Sequence, residues 1–245
     1  VRIDVAFTGG NLLPADLAGR VAVVVDVLRA STTIAKALAA GARTIIPCES
    51  AEEAIARAKA FERRDVLLAG ERRMVAIPGF DLGNSPAEYQ PEVVAGKTVL
   101  LTTTNGTKAL LNSQGAREVL VGCYANYSAV LAVLRKLARA GSDVLIVCAG
   151  RERQFALEDA ACAGRFVRGI SRRGIRAELG DGARAATLLD RRYGSDIGKL
   201  LRDCEHGRAL LELGMGADIE ACAALNAYPV VPVYRDKQVV RRNSA

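Results

Sequence analysis

The segment Val21-Ala22-Val23-Val24-Val25-Asp26-Val27-Leu28-Arg29-Ala30-Ser31-Thr32-Thr33-Ile34 constrains the fold more than any other. Its opening run of apolar, mostly β-branched residues predicts a strand that feeds a helix N-terminus. An acid closes the run, and an arginine and three hydroxyls open what reads as a helix. Such a junction leaves first-turn N–H groups without intrahelical partners and gathers about half a positive charge there, so it attracts anions. Arg29 adds a planar fork matched to phosphate, and Asp26 can hold a cation or take part in chemistry. The plainer alternative, in which Asp26 and Ser31 only turn and cap the chain, is what capping preferences alone favour.

The same alternation continues downstream. Strands are predicted at 3–7, 43–47, 65–69, 98–101, 118–121 and 143–148, and helices at 31–40, after a Ser50 capping box, at 126–140 and from 157 to about 172. Between 70 and 89 the pattern breaks into a turn-rich stretch that includes Pro78-Gly79 and Gly83-Asn84-Ser85-Pro86. Long ordered loops of this kind are disproportionately functional, and Glu71, Arg72, Asp81 and Asn84 are its polar candidates, although turn chemistry alone would explain the last two. Beyond 180 the chain reads as largely helical to about 225. Residues 228–233, with two prolines, suggest a closing strand near a sheet edge, and 241–245 a frayed end. The alternation predicts an α/β fold with a helical C-terminal third. A single domain over 1–245 is expected, with two lobes meeting near 90–97 as the other division.

Composition removes several functional classes. There is one histidine, His206, so multi-histidine metal sites are excluded. The six cysteines form no C-x-x-C pair, which leaves zinc clusters and disulfide frameworks without support. A catalytic metal would be held by oxygen, which favours Mg²⁺. The net charge of +7 permits nucleic-acid binding, but the arginines are scattered and aromatics make up only 4%, so no stacking platform accompanies them. No apolar run approaches the roughly 18–20 residues of a membrane span, and Val1-Arg2-Ile3-Asp4 does not read as a secretion signal. A cytoplasmic chain with neither nucleic-acid nor membrane partners is expected, with a homodimer allowed for.

In open α/β sheets ligands bind outside the carboxyl ends of the strands. Residues 26–33, 70–72, 102–108 and 149–159 all follow predicted strands, so parallel strands would gather them at one edge. The resulting cleft would hold Asp26, Glu71, Glu158 and Asp159 for Mg²⁺ and Arg29, Arg72, Lys108 and Arg151 for anionic groups. That is the equipment phosphoryl transfer demands. Glu158 and Asp159 are adjacent on a helix and diverge by about 100°, so only one can face a given ion. Standard signatures do not fit. Ala95-Gly96-Lys97-Thr98 resembles the end of a P-loop, but Pro91 stands where the first glycine is needed, and Gln154 stands where a cysteine phosphatase built on Cys148 would need arginine.

Taken together, Asp26-Val27-Leu28-Arg29-Ala30-Ser31-Thr32-Thr33, Gly70-Glu71-Arg72, Gly83-Asn84-Ser85-Pro86, Thr103-Thr104-Asn105-Gly106-Thr107, Cys148-Ala149-Gly150 and Leu157-Glu158-Asp159 resemble the 2-phosphosulfolactate phosphatase family, with His206-Gly207 and Val231-Pro232 also in register. The resemblance implies a layered α/β/α fold with a mixed, largely parallel sheet. It also implies a Mg²⁺-dependent phosphomonoesterase, acting on a small anionic phosphate ester on the route to coenzyme M. One departure is Arg151-Glu152-Arg153-Gln154, where a further glycine is expected. Asp26, Arg29, Glu71 and Glu158 are the expected catalytic set, and Asp26 with Glu158 or Asp159 the expected metal ligands. Ser31, Thr32, Arg72, Asn84, Thr104, Asn105, Gly106, Thr107, Gly150 and Arg151 are expected to bind substrate. His206 has no assigned role. A non-catalytic nucleotide- or anion-binding module is the competing expectation.

Overall fold

A computed structural model of the chain describes residues 1–172 and 174–242. The first half comprises β1 (Arg2–Ala6), α1 (Pro14–Leu17), β2 (Val21–Val25), α2 (Ala30–Ala39), β3 (Thr44–Pro47), α3 (Ala51–Ala58), β4 (Val66–Arg72), β5 (Val75–Ala76), α4 (Pro91–Val94), β6 (Thr98–Thr102) and α5 (Gly106–Asn112). The second comprises β7 (Glu118–Gly122), α6 (Tyr127–Arg139), β8 (Val144–Cys148), α7 (Leu157–Ile170), β9 (Glu178–Leu179), α8 (Asp181–Tyr193), α9 (Ile197–Asp203), α10 (Glu205–Glu212), α11 (Gly216–Ala223), β10 (Pro232–Arg235) and β11 (Gln238–Arg241).

The β-branched run of β2 lies between β7 and β8, parallel to both, with every residue buried. Successive side chains leave on opposite faces. Val21, Val23 and Val25 join one core with Phe166, Leu134 and Ala186, while Ala22 and Val24 join the other with Ile34, Leu38 and Leu110. Burying a valine fully contributes roughly 1.5–3 kcal/mol, which fixes the register of this central strand. The result is an α/β fold with one mixed, largely parallel sheet between helical layers. Its order is β5-β4-β6-β3-β11-β10-β7-β2-β8-β1-β9.

Two parallel blocks, β4-β6-β3 and β7-β2-β8-β1-β9, are joined by the antiparallel β10–β11 hairpin. This corrects the placement of the closing strand. Pro232 occupies the first position of β10, where a missing N–H is tolerated, and Pro229 precedes the strand, so β10 sits in the interior of the sheet. Arg241, expected to be frayed, ends β11, while 243–245 fall outside the described residues. The break in pattern also comes later than expected: β4 runs through Arg72 and turns straight back into β5.

Three antiparallel pairings separate the blocks, so their strands formally run opposite ways. The strand ends meet nonetheless. The contacts described below join the loops that follow β2, β4, β6 and β8 without a shared parallel edge.

Candidate active site

A cleft of about 260 Å³ opens where the strand ends converge. It is lined by Asp26, Leu28, Arg29, Glu71, Arg73, Met74, Asn84, Thr103, Thr104, Asn105, Arg151, Glu152 and His206. Asp26 leaves the end of β2 and turns the chain into α2. Its Oδ1 accepts the Ala30 N–H at 3.2 Å, and its own N–H donates to Ser31 Oγ at 2.9 Å. No described hydrogen bond engages Oδ2. A Cβ at Gly106 would sit 2.6 Å from Asp26 Oδ2 and 2.5 Å from Ala30 Cβ, so only glycine lets the start of α5 come this close. Burial pushes the Asp26 carboxyl up to about 6. His206 and the Ala30 N–H pull it down, while Glu71 and Glu158 push it further up.

Glu71 is buried at the end of β4 and ties two loops together. It accepts the Thr104 N–H at 2.7 Å on Oε1, and the Thr104 hydroxyl at 3.1 Å and the Met74 N–H at 2.8 Å on Oε2. Because these residues continue a strand, Arg72 points to the other side. It donates to Thr102 Oγ1 at 2.9 Å and does not line the cleft, contrary to expectation.

The hydroxyls of α2 also face elsewhere. Thr32 Oγ1 donates to the Val27 carbonyl at 3.0 Å and Thr33 Oγ1 to the Asn84 carbonyl at 2.8 Å. With Ser31 engaged by Asp26 N–H, Ser31 and Thr32 cap and brace, and neither lines the cleft. Thr107 behaves alike: its Oγ1 accepts the Thr103 N–H at 2.9 Å. Short side chains on a helix start bond their own backbone unless something displaces them. Arg29 is buried and committed to the protein. It donates to Asp218 Oδ2 at 2.5 Å and to the Met74 carbonyl at 2.8 Å, while Ser85 Oγ donates to Asp218 Oδ1. No sequence signal marked Asp218, which lies far along the chain on α11.

Adjacent acids on α7 diverge as helical geometry requires. Asp159 accepts the Val27 N–H at 2.8 Å and the Gly150 N–H at 3.1 Å, and burial, then the charges of Asp26 and Glu158, hold its carboxyl well above the ordinary range. Glu158 faces His206, whose Nδ1 lies 3.3 Å from Oε1. Burial raises the Glu158 carboxyl, but the hydrogen bond and charge of His206 outweigh it, leaving the group below its ordinary value. Glu158 lines a second cleft of about 390 Å³ that shares Arg151 and His206 with the first. His206 thus borders both clefts, a position its sequence context did not reveal.

The loop after β8 closes as a tight turn. Arg151 N–H donates to the Gln154 carbonyl at 3.0 Å, and the reverse bond is 2.8 Å. Glu152 and Arg153 adopt φ of 50° and 67°, the left-handed conformation a two-residue hairpin turn demands, so the turn forms without the expected glycine but at a backbone cost that glycine would avoid. Gly150 is needed. It has φ of 70°, and a Cβ there would lie 2.3 Å from the Gln154 carbonyl oxygen. The Glu152 N–H donates to Asn105 Oδ1 at 3.1 Å, joining this loop to the one after β6.

Asp26, Arg29, Glu71, Asn84, Thr104, Asn105 and Arg151 therefore share one cleft. Gly106 and Gly150 shape it, Glu158 lies next door, and Ser31, Thr32, Arg72, Thr107 and Asp159 do not reach it. Leu28, Arg73, Met74, Thr103 and Glu152 are additions that sequence reasoning missed.

An α/β sheet whose loops gather a buried acid, arginines and amide groups around one small cleft defines an α/β protein with an acidic group set beside groups that can bind an anion. Comparison with known proteins narrows this further. The family model described as 2-phosphosulpholactate phosphatase matches residues 10–237, and the chain belongs to that family, by name one of phosphoric monoester hydrolases. A relative from Symbiobacterium thermophilum, named probable 2-phosphosulfolactate phosphatase, is 46% identical over 94% of this chain and 98% of its own. Relatives of the same name from Caldanaerobacter subterraneus and Clostridium acetobutylicum are 41% and 34% identical, over 89% and 98% of this chain and 88% and 100% of theirs. No helix among the described residues is long and apolar enough to cross a membrane.

Proposed function

We propose that the chain hydrolyses 2-phosphosulfolactate, or a similar phosphorylated hydroxy acid, with Mg²⁺ at Asp26. The observation that carries this reading is an uncommitted carboxylate oxygen, Asp26 Oδ2, pressed against Gly106 in a cleft that also holds Asn105 and Arg151. A module that merely bound anions would gain nothing from a buried carboxylate at the anion's place, since like charges repel strongly there.

The donor set fits one ion shared with substrate. Among the described residues no three His, Cys, Asp or Glu side chains are grouped to cage a metal. Mg²⁺ is commonly held by one or two carboxylates plus substrate phosphate and water, which Asp26 Oδ2 can satisfy. We assign Asp159 to bracing loops and Glu158 to orienting His206, because their oxygens already face those partners. When bound, the ion would neutralise charge on the phosphoryl oxygens. Arg151 and the Asn105 amide hold those oxygens, and Glu71 fixes the Thr104 backbone against them. His206, oriented through Nδ1, presents its other ring nitrogen to the substrate.

Phosphate release from phosphosulfolactate and phosphorylated hydroxy acids, measured with Mg²⁺ and with chelator, tests the reading. Turnover that requires the ion supports it. Absence of turnover on every phosphate ester overturns it, and turnover indifferent to chelation removes Mg²⁺.

A further inference from the structure

The turn between β4 and β5 stands over the cleft. Arg73 and Met74 adopt φ of 51° and 70°, the pair of left-handed conformations for which Asn-Gly is favoured in a two-residue hairpin. Two bulky side chains stand there instead, at a backbone cost that glycine avoids. The turn is also fixed from both sides. Met74 N–H donates to Glu71 Oε2 at 2.8 Å, and the Met74 carbonyl accepts from Arg29 at 2.8 Å. Two buried charged residues of the cleft thus hold an exposed turn over it.

Arg73 is exposed and lines the cleft, which places it at the rim. Its guanidinium makes no hydrogen bond or ion pair with any described residue. Asn84 lines the same cleft from beneath. It is only 5% exposed, its backbone carbonyl is taken by Thr33, and its side-chain Oδ1 has no partner among the described residues. A buried amide left unpaired costs free energy that a bound ligand can recover. A free cation and a free amide on the same cleft suit a carboxylate or sulfonate: Arg73 supplies charge, and Asn84, whose Nδ2 likewise makes no hydrogen bond with any described residue, supplies an N–H once its amide turns about the soft, two-fold terminal torsion that exchanges Oδ1 and Nδ2.

We propose that Arg73 and Asn84 form the subsite for the second acidic group of the substrate, selecting phosphorylated acids over phosphate esters of uncharged alcohols. The inference rests on the phosphatase reading and deepens it. Asp26 and Glu71 give the cleft negative charge, so a substrate bearing an extra acid is disfavoured unless a cation at the rim receives that acid.

The test compares 2-phospholactate with isopropyl phosphate, in which a methyl group replaces the carboxylate. In R73Q, the ratio of kcat/KM for 2-phospholactate to that for isopropyl phosphate falls about ten-fold, mainly through KM, and in R73E further. R73K, which keeps the charge, retains most of the ratio. In chelator, 2-phospholactate binding followed by calorimetry weakens about ten-fold in R73Q. N84D, which turns a carboxylate toward the substrate acid, lowers the ratio more than R73Q does. An unchanged ratio in R73Q and N84D alongside normal turnover overturns the subsite and leaves the phosphatase reading intact. If no ester is turned over, the phosphatase reading falls, and calorimetry decides the subsite: equal binding of 2-phospholactate by both proteins, or binding by neither, overturns it.

Discussion

Replacing Asp26 by asparagine should stabilise the protein and abolish its activity, and the size of the gain follows from burial. The carboxyl is raised from the ordinary 3.8 to about 6, because the folded protein disfavours its charge. A folded-state value above the unfolded one means that the stability is fully present below about pH 3.8 and is lost as pH rises through about 6. At 1.36 kcal/mol per pH unit, ionising Asp26 in the folded state costs about 3 kcal/mol. The amide of the D26N variant would keep an acceptor for the Ala30 N–H and never ionise. D26N should therefore exceed the wild type by about 3 kcal/mol at pH 8, or roughly 6–12 °C in Tm for a chain of this size, and match it near pH 4. Urea denaturation of both proteins at the two pH values, in chelator so that no cation offsets the charge, measures the difference. Phosphate release in Mg²⁺ should fall at least a thousand-fold in the same variant. A D26N protein no more stable than the wild type at pH 8, or equally stabilised at pH 4, would refute the claim that the site stores an uncompensated charge.

Three further outcomes follow from the contacts around the cleft. G106A forces a Cβ into Asp26 Oδ2 and Ala30, so turnover should drop at least a hundred-fold while the far-UV circular dichroism spectrum is kept; wild-type kcat would show that α5 need not approach Asp26 so closely. D218A strands the buried Arg29 guanidinium and should cost about 3–5 kcal/mol in urea denaturation, far more than removing an exposed acid such as Glu220 would. E71Q turns an amide N–H toward donors that now meet a carboxylate, and should lose about 1–3 kcal/mol together with order in the turn at Met74, read by amide hydrogen exchange.

The sequence alone determined the local elements. Patterning placed β2, β3, β6, β7, β8 and α6 within a few residues, because an apolar run buried on both faces, or an apolar stripe at helical spacing, has few ways to satisfy itself. It also singled out Asp26, Glu71, Asn105 and Arg151, polar groups at or just after strand ends, and Asn84, in a long turn-rich loop, all of which line the cleft. What it could not settle was where neighbouring side chains point. Whether Arg72 or Arg73 serves the cleft depends on β4 running through Arg72, and the alternation that follows sends consecutive residues to opposite sides.

Tertiary structure alone decided the partnerships. Arg29 reads as a phosphate ligand until Asp218, delivered by a helix from the other end of the chain, claims it. His206 gains its place only when Glu158 meets it, and Asp159 is drawn into loop bracing by N–H groups of Val27 and Gly150. The meeting of the loops after β2, β4, β6 and β8 is likewise tertiary, because their strands belong to blocks that run opposite ways and only long-range contacts, such as Gly106 against Asp26 and Glu71 on Thr104, join them. Local propensity is written in neighbouring residues, whereas ion pairs and buried hydrogen bonds depend on which distant groups packing brings within reach.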